Sequence, residues 1–118
     1  MNQDLHIKAQ IKKILKVIQE VAPGRSVELR IPLYAAIQCV NGVNHRRGTP
    51  SNIVEMSAAT LMNLTQNPEK WQEFCEIGLI SASGANSDLS VIFHRMAKLR
   101  KRLEGIVNGK QAQNCWNY

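Results

Sequence analysis

The residues whose types and spacing are best suited to chemistry lie in one stretch, NHRRGTPSN, from Asn44 to Asn52. It sets His45, Arg46 and Arg47 beside Gly48, where two guanidinium groups and backbone amides can converge on a phosphate or a carboxylate. The competing reading is a solvated connection, with Gly48 and Pro50 shaping the turn and the arginines pairing with a local acid such as Glu55. Elsewhere the reactive groups are dispersed. His6, His45 and His94 show no HxxxH or HxxE spacing, and Cys39, Cys75 and Cys115 form no CxxC pair. Neither a metal site nor a disulfide framework is expected from that pattern. The sequence has no GxSxG, no P-loop and no GxGxxG, so nucleophilic hydrolysis and nucleotide binding lack their usual local geometry. Glu69, Glu73 and Glu76 recur at helical spacing and read as one exposed helix face. These observations predict a binding domain, not an enzyme, and no cofactor.

A second constellation is apolar. Leu61 and Leu64 precede Trp71 and Phe74, and Ile92, Phe93 and Met96 come after them. At helical spacing such residues form a core; they line a pocket only where helices and sheet stand apart.

The elements that must position these groups are set by periodicity. Ile7, Ile11, Ile14, Leu15, Ile18 and Val21 make one stripe of an amphipathic helix over Leu5 to Val21, stopped by Pro23-Gly24. Val27, Leu29 and Ile31 alternate with polar residues in a strand over Ser26 to Ile31, which Pro32 ends. Tyr34 to Val40 is a second strand closed by Asn41-Gly42. A tight hairpin between the two is doubtful, because Pro32-Leu33 lacks the positive-φ residues of two-residue hairpin turns. Ile53 to Met56 is a third strand, and Ser57 caps a helix through Leu64. Asn67-Pro68-Glu69, with Asn67 as the N-cap, opens another helix that buries Trp71, Phe74 and Cys75 and ends at Gly78. Leu79 to Ser83 is a short strand. Ser87 then caps a final amphipathic helix through Leu103, and Lys110 to Tyr118 read as a flexible tail. This order lacks the strict alternation of a parallel βαβ protein, so the expectation is an α+β fold: a mainly antiparallel sheet covered by amphipathic helices. Residues 1–109 form one domain and 110–118 the tail.

At 118 residues, 44% hydrophobic and 20% charged, the chain can bury one core without staples. No apolar run is long enough to cross a bilayer and no secretory block opens the chain, which makes the cytoplasm the expected location. A formal charge of +6 favours an anionic partner: nucleic acid, a membrane surface or a phosphorylated protein. Much of the excess sits in two helical segments, with Lys8, Lys12, Lys13 and Lys16 in the first and Arg95, Lys98, Arg100, Lys101 and Arg102 in the last.

Three stretches resemble the small bacterial orthologues of sterol carrier protein: GRSVELRIPLYAAIQCVNG at Gly24 to Gly42, HRRGTPSNIVEM at His45 to Met56, and ISASGANSDLS at Ile80 to Ser90. The HRRGTP and YAAIQC segments are the specific part. The resemblance implies an α+β fold with a mainly antiparallel sheet under several helices, and an apolar cavity of the kind that takes sterols, fatty acids or acyl-CoA. Combined with the periodicity, it makes Leu29, Ile37, Leu61, Trp71, Phe74, Ile92 and Phe93 the candidate walls of a lipid site. His45, Arg46 and Arg47 become the candidate contact for an anionic head group. An apolar, lipid-like small molecule is the expected partner, with transient contact to an anionic membrane surface. The alternative is a basic interaction module that binds nucleic acid or an anionic protein through the charged helices.

Overall fold

A computed structural model of the chain describes residues 2–42 and 52–106, and the side chains of 4–42 and 52–102. His45, Arg46, Arg47 and the 110–118 segment lie outside the described residues. The element order is α1 (Asn2–Val21), β1 (Val27–Ile31), β2 (Ala35–Cys39), β3 (Asn52–Met56), α2 (Ala58–Gln66), a 3-10 turn (Pro68–Lys70), α3 (Trp71–Glu76), β4 (Ile80–Ser83) and α4 (Ser90–Ile106).

The four strands form one sheet in the order β2-β1-β3-β4. β1 pairs antiparallel with β2 and β3 antiparallel with β4, but β1 and β3 run parallel, with Leu29 opposite Val54. The fold is α+β as expected, whereas the sheet is mixed and not mainly antiparallel. The physical reason is strand order. Val27 faces Cys39, the last residue of β2, on one side and Asn52, the first of β3, on the other. β2 thus ends and β3 begins at the same end of β1, on opposite sides of it, so β3 runs in the same direction as β1. Alternation of apolar residues specifies a buried face, but carries no information about which strands are neighbours.

Alternation does specify that face. Val27, Leu29 and Ile31 of β1, with Val54 and Met56 of β3, are buried; Arg30 and Glu55 on the other side are exposed. Ile11, Ile14, Leu15 and Ile18 of α1 and Leu89, Phe93 and Met96 at and within α4 join the same core, all at most 2% exposed. Leu61 and Leu64 of α2 complete it, with Trp71 packed 6.2 Å from Phe93 between ring centroids.

Three junctions differ from the sequence expectation. β1 and β2 do form a hairpin: Tyr34 N–H donates to Ile31 C=O at 3.0 Å, and Leu33 takes φ 75° at the third position of the turn. With Pro32 second, this is the type II arrangement, which normally selects glycine or asparagine where Leu33 stands. Asn67 provides no side-chain cap for the 3-10 turn through which the chain enters α3; its Nδ2 bonds Asn63 Oδ1 in α2 instead. Ser87 does not cap α4 either. Its Oγ donates back to Gly84 C=O, and Asp88 Oδ1 accepts from the Ser90 N–H.

Asn52 and the Gly24 region fix the far end of the sheet. Asn52 is buried, donates from Nδ2 to Ser26 C=O and accepts from the Asn86 N–H at Oδ1, both at 2.9 Å. It ties β3 to the start of β1 and to the approach to α4. Gly24 has φ 146°, and a Cβ there would lie 2.1 Å from Val40 O. That carbonyl accepts from both the N–H and Oγ of Ser26.

Candidate functional site

Because β1 and β3 are parallel, their C-terminal residues Ile31 and Met56 finish at the same end of the sheet, and β4 starts there, with Ile80 opposite Met56. The hairpin turn, the start of α2 and the turn after α3 all converge on that end. Ile7 of α1, Tyr34, Met56, Met62 of α2 and Leu79 enclose an open groove of about 590 Å³ between them, with Leu33 at its lip. That is within the size range of small-molecule sites.

Local chemistry explains how each wall is held. Ser57 caps α2 as the sequence indicates, accepting the Thr60 N–H at 3.1 Å, which sets Ala58, Ala59 and Met62 along one side. Opposite, α3 ends in a Schellman motif. Gly78 N–H donates to Cys75 C=O, Leu79 N–H donates to Phe74 C=O at 2.9 Å, and Gly78 takes φ 83°. The motif delivers Leu79, 47% exposed, to the groove. Leu33 at the hairpin tip is 99% exposed, and Ile77 is 62% exposed beside Gly78.

Glu55 is the charged side chain on this wall among the described residues. Hydrogen bonding and charge from Glu28, with a weaker contribution from Glu55, hold the Arg30 guanidinium in its charged form. Apart from the Tyr34 phenol, the rest is thioether, aliphatic or small hydroxyl. Such a surface offers dispersion contacts and two adaptable methionines, and no nucleophile paired with a base.

The candidate walls read from the sequence lie elsewhere. Leu29, Leu61 and Phe93 are fully buried, Trp71, Phe74 and Ile92 nearly so, and Ile37 packs partly buried against the same cluster. None of the seven lines this groove. The segment with His45, Arg46 and Arg47 is outside the described residues, but its described flanks, Gly42 and Asn52, lie at the opposite end of the sheet from the groove. Sequence reasoning missed Leu33 and Leu79. The available signal was their position: each is a leucine at a turn, one after Pro32 and one after Gly78, off every amphipathic stripe.

Two further grooves flank α4. One, about 610 Å³, has Val17, Val21 and Leu99 between Glu20, Arg95, Lys98 and Arg102. The other, about 520 Å³, includes Pro68, Glu69, Val91, His94 and Lys101 and shares Arg95 and Lys98 with the first. Among the described residues, no group of three or more His, Cys, Asp and Glu could hold a metal ion, and no helix is long and apolar enough to cross a membrane. Burial pushes the Cys39 thiol up to about 11, and burial, then Asp88 and Glu76, raise that of Cys75. Neither behaves as an activated nucleophile.

No curated protein matches the chain. The sequence model of the family described as bacterial SCP ortholog matches residues 4–94, a span from the first helix into α4 that includes every wall of the sheet-end groove. The chain therefore belongs to the bacterial sterol carrier protein (SCP) ortholog family.

Proposed function

We propose that this chain is a lipid-binding domain, not an enzyme, and that it holds one apolar molecule of the sterol, fatty acid or acyl-CoA class in the groove at the C-terminal ends of β1 and β3. The observation that carries the reading is the pair Leu33 and Leu79. Large aliphatic side chains stand open to water on either side of an apolar groove, where an occupant would bury them. Family membership supports the ligand class. Burying an acyl chain of about 14 carbons contributes on the order of 10 kcal/mol, before the costs of association and ordering. An open groove covers part of such a chain, which is consistent with a carrier that must also release it.

Contacts with Leu29, Ile37, Leu61, Trp71, Phe74, Ile92 and Phe93 would require the sheet and helices to part, and binding in the groove does without them. His45, Arg46 and Arg47 would serve anionic head groups. The working location is the cytoplasm, in line with the free thiols of Cys39 and Cys75.

Native mass spectrometry of protein purified without detergent tests the reading. The expected spectrum shows uptake of one molecule from a panel of sterols, fatty acids and acyl-CoAs, with Leu79→Asp lowering affinity by about tenfold or more. A protein that takes up none of the panel contradicts it.

A further inference from the structure

Helix α4 carries five arginine and lysine residues against one carboxylate, Glu104, and so holds most of the chain's formal charge of +6. Arg95, Lys98, Lys101 and Arg102 recur at three- and four-residue spacing, which places them along one exposed face, and His94 flanks them. Among the described residues these four cations form no ion pair. Arg100 differs, being half-buried and bonded through Nη1 to Gln66 Oε1 at 2.7 Å.

From these facts we infer that the exposed face of α4 is a docking surface for an anionic phospholipid bilayer. Two features favour a bilayer over nucleic acid. The ridge lies between two grooves that carry aliphatic side chains among their linings, Val17 and Leu99 on one side and Val91, 61% exposed, on the other. Cations set among aliphatic side chains suit an interface where phosphate oxygens lie above acyl chains. Among the described residues lining the two grooves there is no Phe, Tyr or Trp, and His94 is the one ring on which a base could stack. In extent, Arg95 to Arg102 cover only about 10 Å of helix, a compact patch and not a track along a phosphate backbone. Among the described residues the acids lining the two grooves are Glu20 and Glu69, one on each, fewer than the four cations of the ridge. Docking through this face does not depend on what the sheet-end groove holds.

Vesicle co-sedimentation of the full chain tests it. Binding is expected to vesicles of phosphatidylcholine mixed with phosphatidylglycerol, not to phosphatidylcholine alone, and to weaken as salt is raised. Lys98→Gln with Lys101→Gln should lower the affinity on the order of 30-fold, whereas Lys12→Gln with Lys16→Gln on α1 should change it far less. The salt dependence of the unsubstituted protein is a reading that no folding defect can affect. Absence of binding to the anionic vesicles at low salt overturns the proposal, as does an equal loss in the α1 variant. Tighter binding to a DNA duplex than to the anionic vesicles at the same salt overturns it too.

Discussion

Leu33 concentrates the main tension in the molecule into one residue. Its backbone sits at φ 75°, where a side chain with a Cβ is disfavoured by roughly 1–2 kcal/mol, and its side chain is 99% exposed. Neither feature helps the fold. Leu33→Gly should therefore raise stability by about 1 kcal/mol in urea denaturation while weakening lipid binding several-fold. An unchanged affinity would remove Leu33 from the site. Two glycines make the opposite comparison. Gly78→Ala meets nothing within 4 Å and carries only the cost of its φ of 83°, about 1 kcal/mol. Gly24→Ala would instead drive a Cβ into the backbone of Val40 and should cost more than about 3 kcal/mol, measured in the same urea series. Cys39 supplies a pH prediction. Its folded thiol ionises near 11 against an ordinary 9.0, because burial disfavours the thiolate. The contribution of Cys39 to stability is thus complete below about pH 9 and is lost as pH rises towards 11. With Cys75 and Cys115 replaced by serine, a thiol reagent at neutral pH should modify the native protein no faster than it unfolds.

At the scale of elements, the sequence is most legible where one periodicity runs long. The stripes of α1 and α4 and the alternation in β1 locate these elements to within a few residues, because each buries one continuous face. The Ser57 cap is legible for the same reason: a local hydrogen bond has a local signature. What escapes is nonlocal or strained. The parallel pairing of β1 with β3 depends on which side of β1 the chain returns to, and no residue encodes that alone. The hairpin hides behind a leucine in a conformation that composition assigns to glycine. Val40, also at positive φ (67°), bends the chain one residue before the Asn41-Gly42 signal, and its N–H donates to Ala22 C=O. The groove was illegible for a further reason. Its walls come from Ile7, Tyr34, Met56, Met62 and Leu79, which share no period and meet only because the elements bearing them share one end of the sheet. The residues that do share a period, Leu61, Trp71, Phe74 and Phe93 among them, are buried together in the core.

On the scale of the whole molecule, two surfaces are separate: an apolar groove at one end of the sheet and a cationic ridge along α4. Among the described residues, none lines both. A domain built this way can meet an anionic bilayer through one surface and hold a lipid with another. The central claim is that the lipid sits in the sheet-end groove and not within the core, and the methionines distinguish the two. Met56 and Met62 line the groove, while Met96 is 2% exposed among the core residues of α4. With methyl-labelled methionine and titration by a sterol, a fatty acid and an acyl-CoA in turn, NMR should show saturable shifts of the Met56 and Met62 methyl signals for at least one ligand, with Met96 little changed. Saturable binding that shifts Met96 and leaves Met56 and Met62 in place would contradict the account.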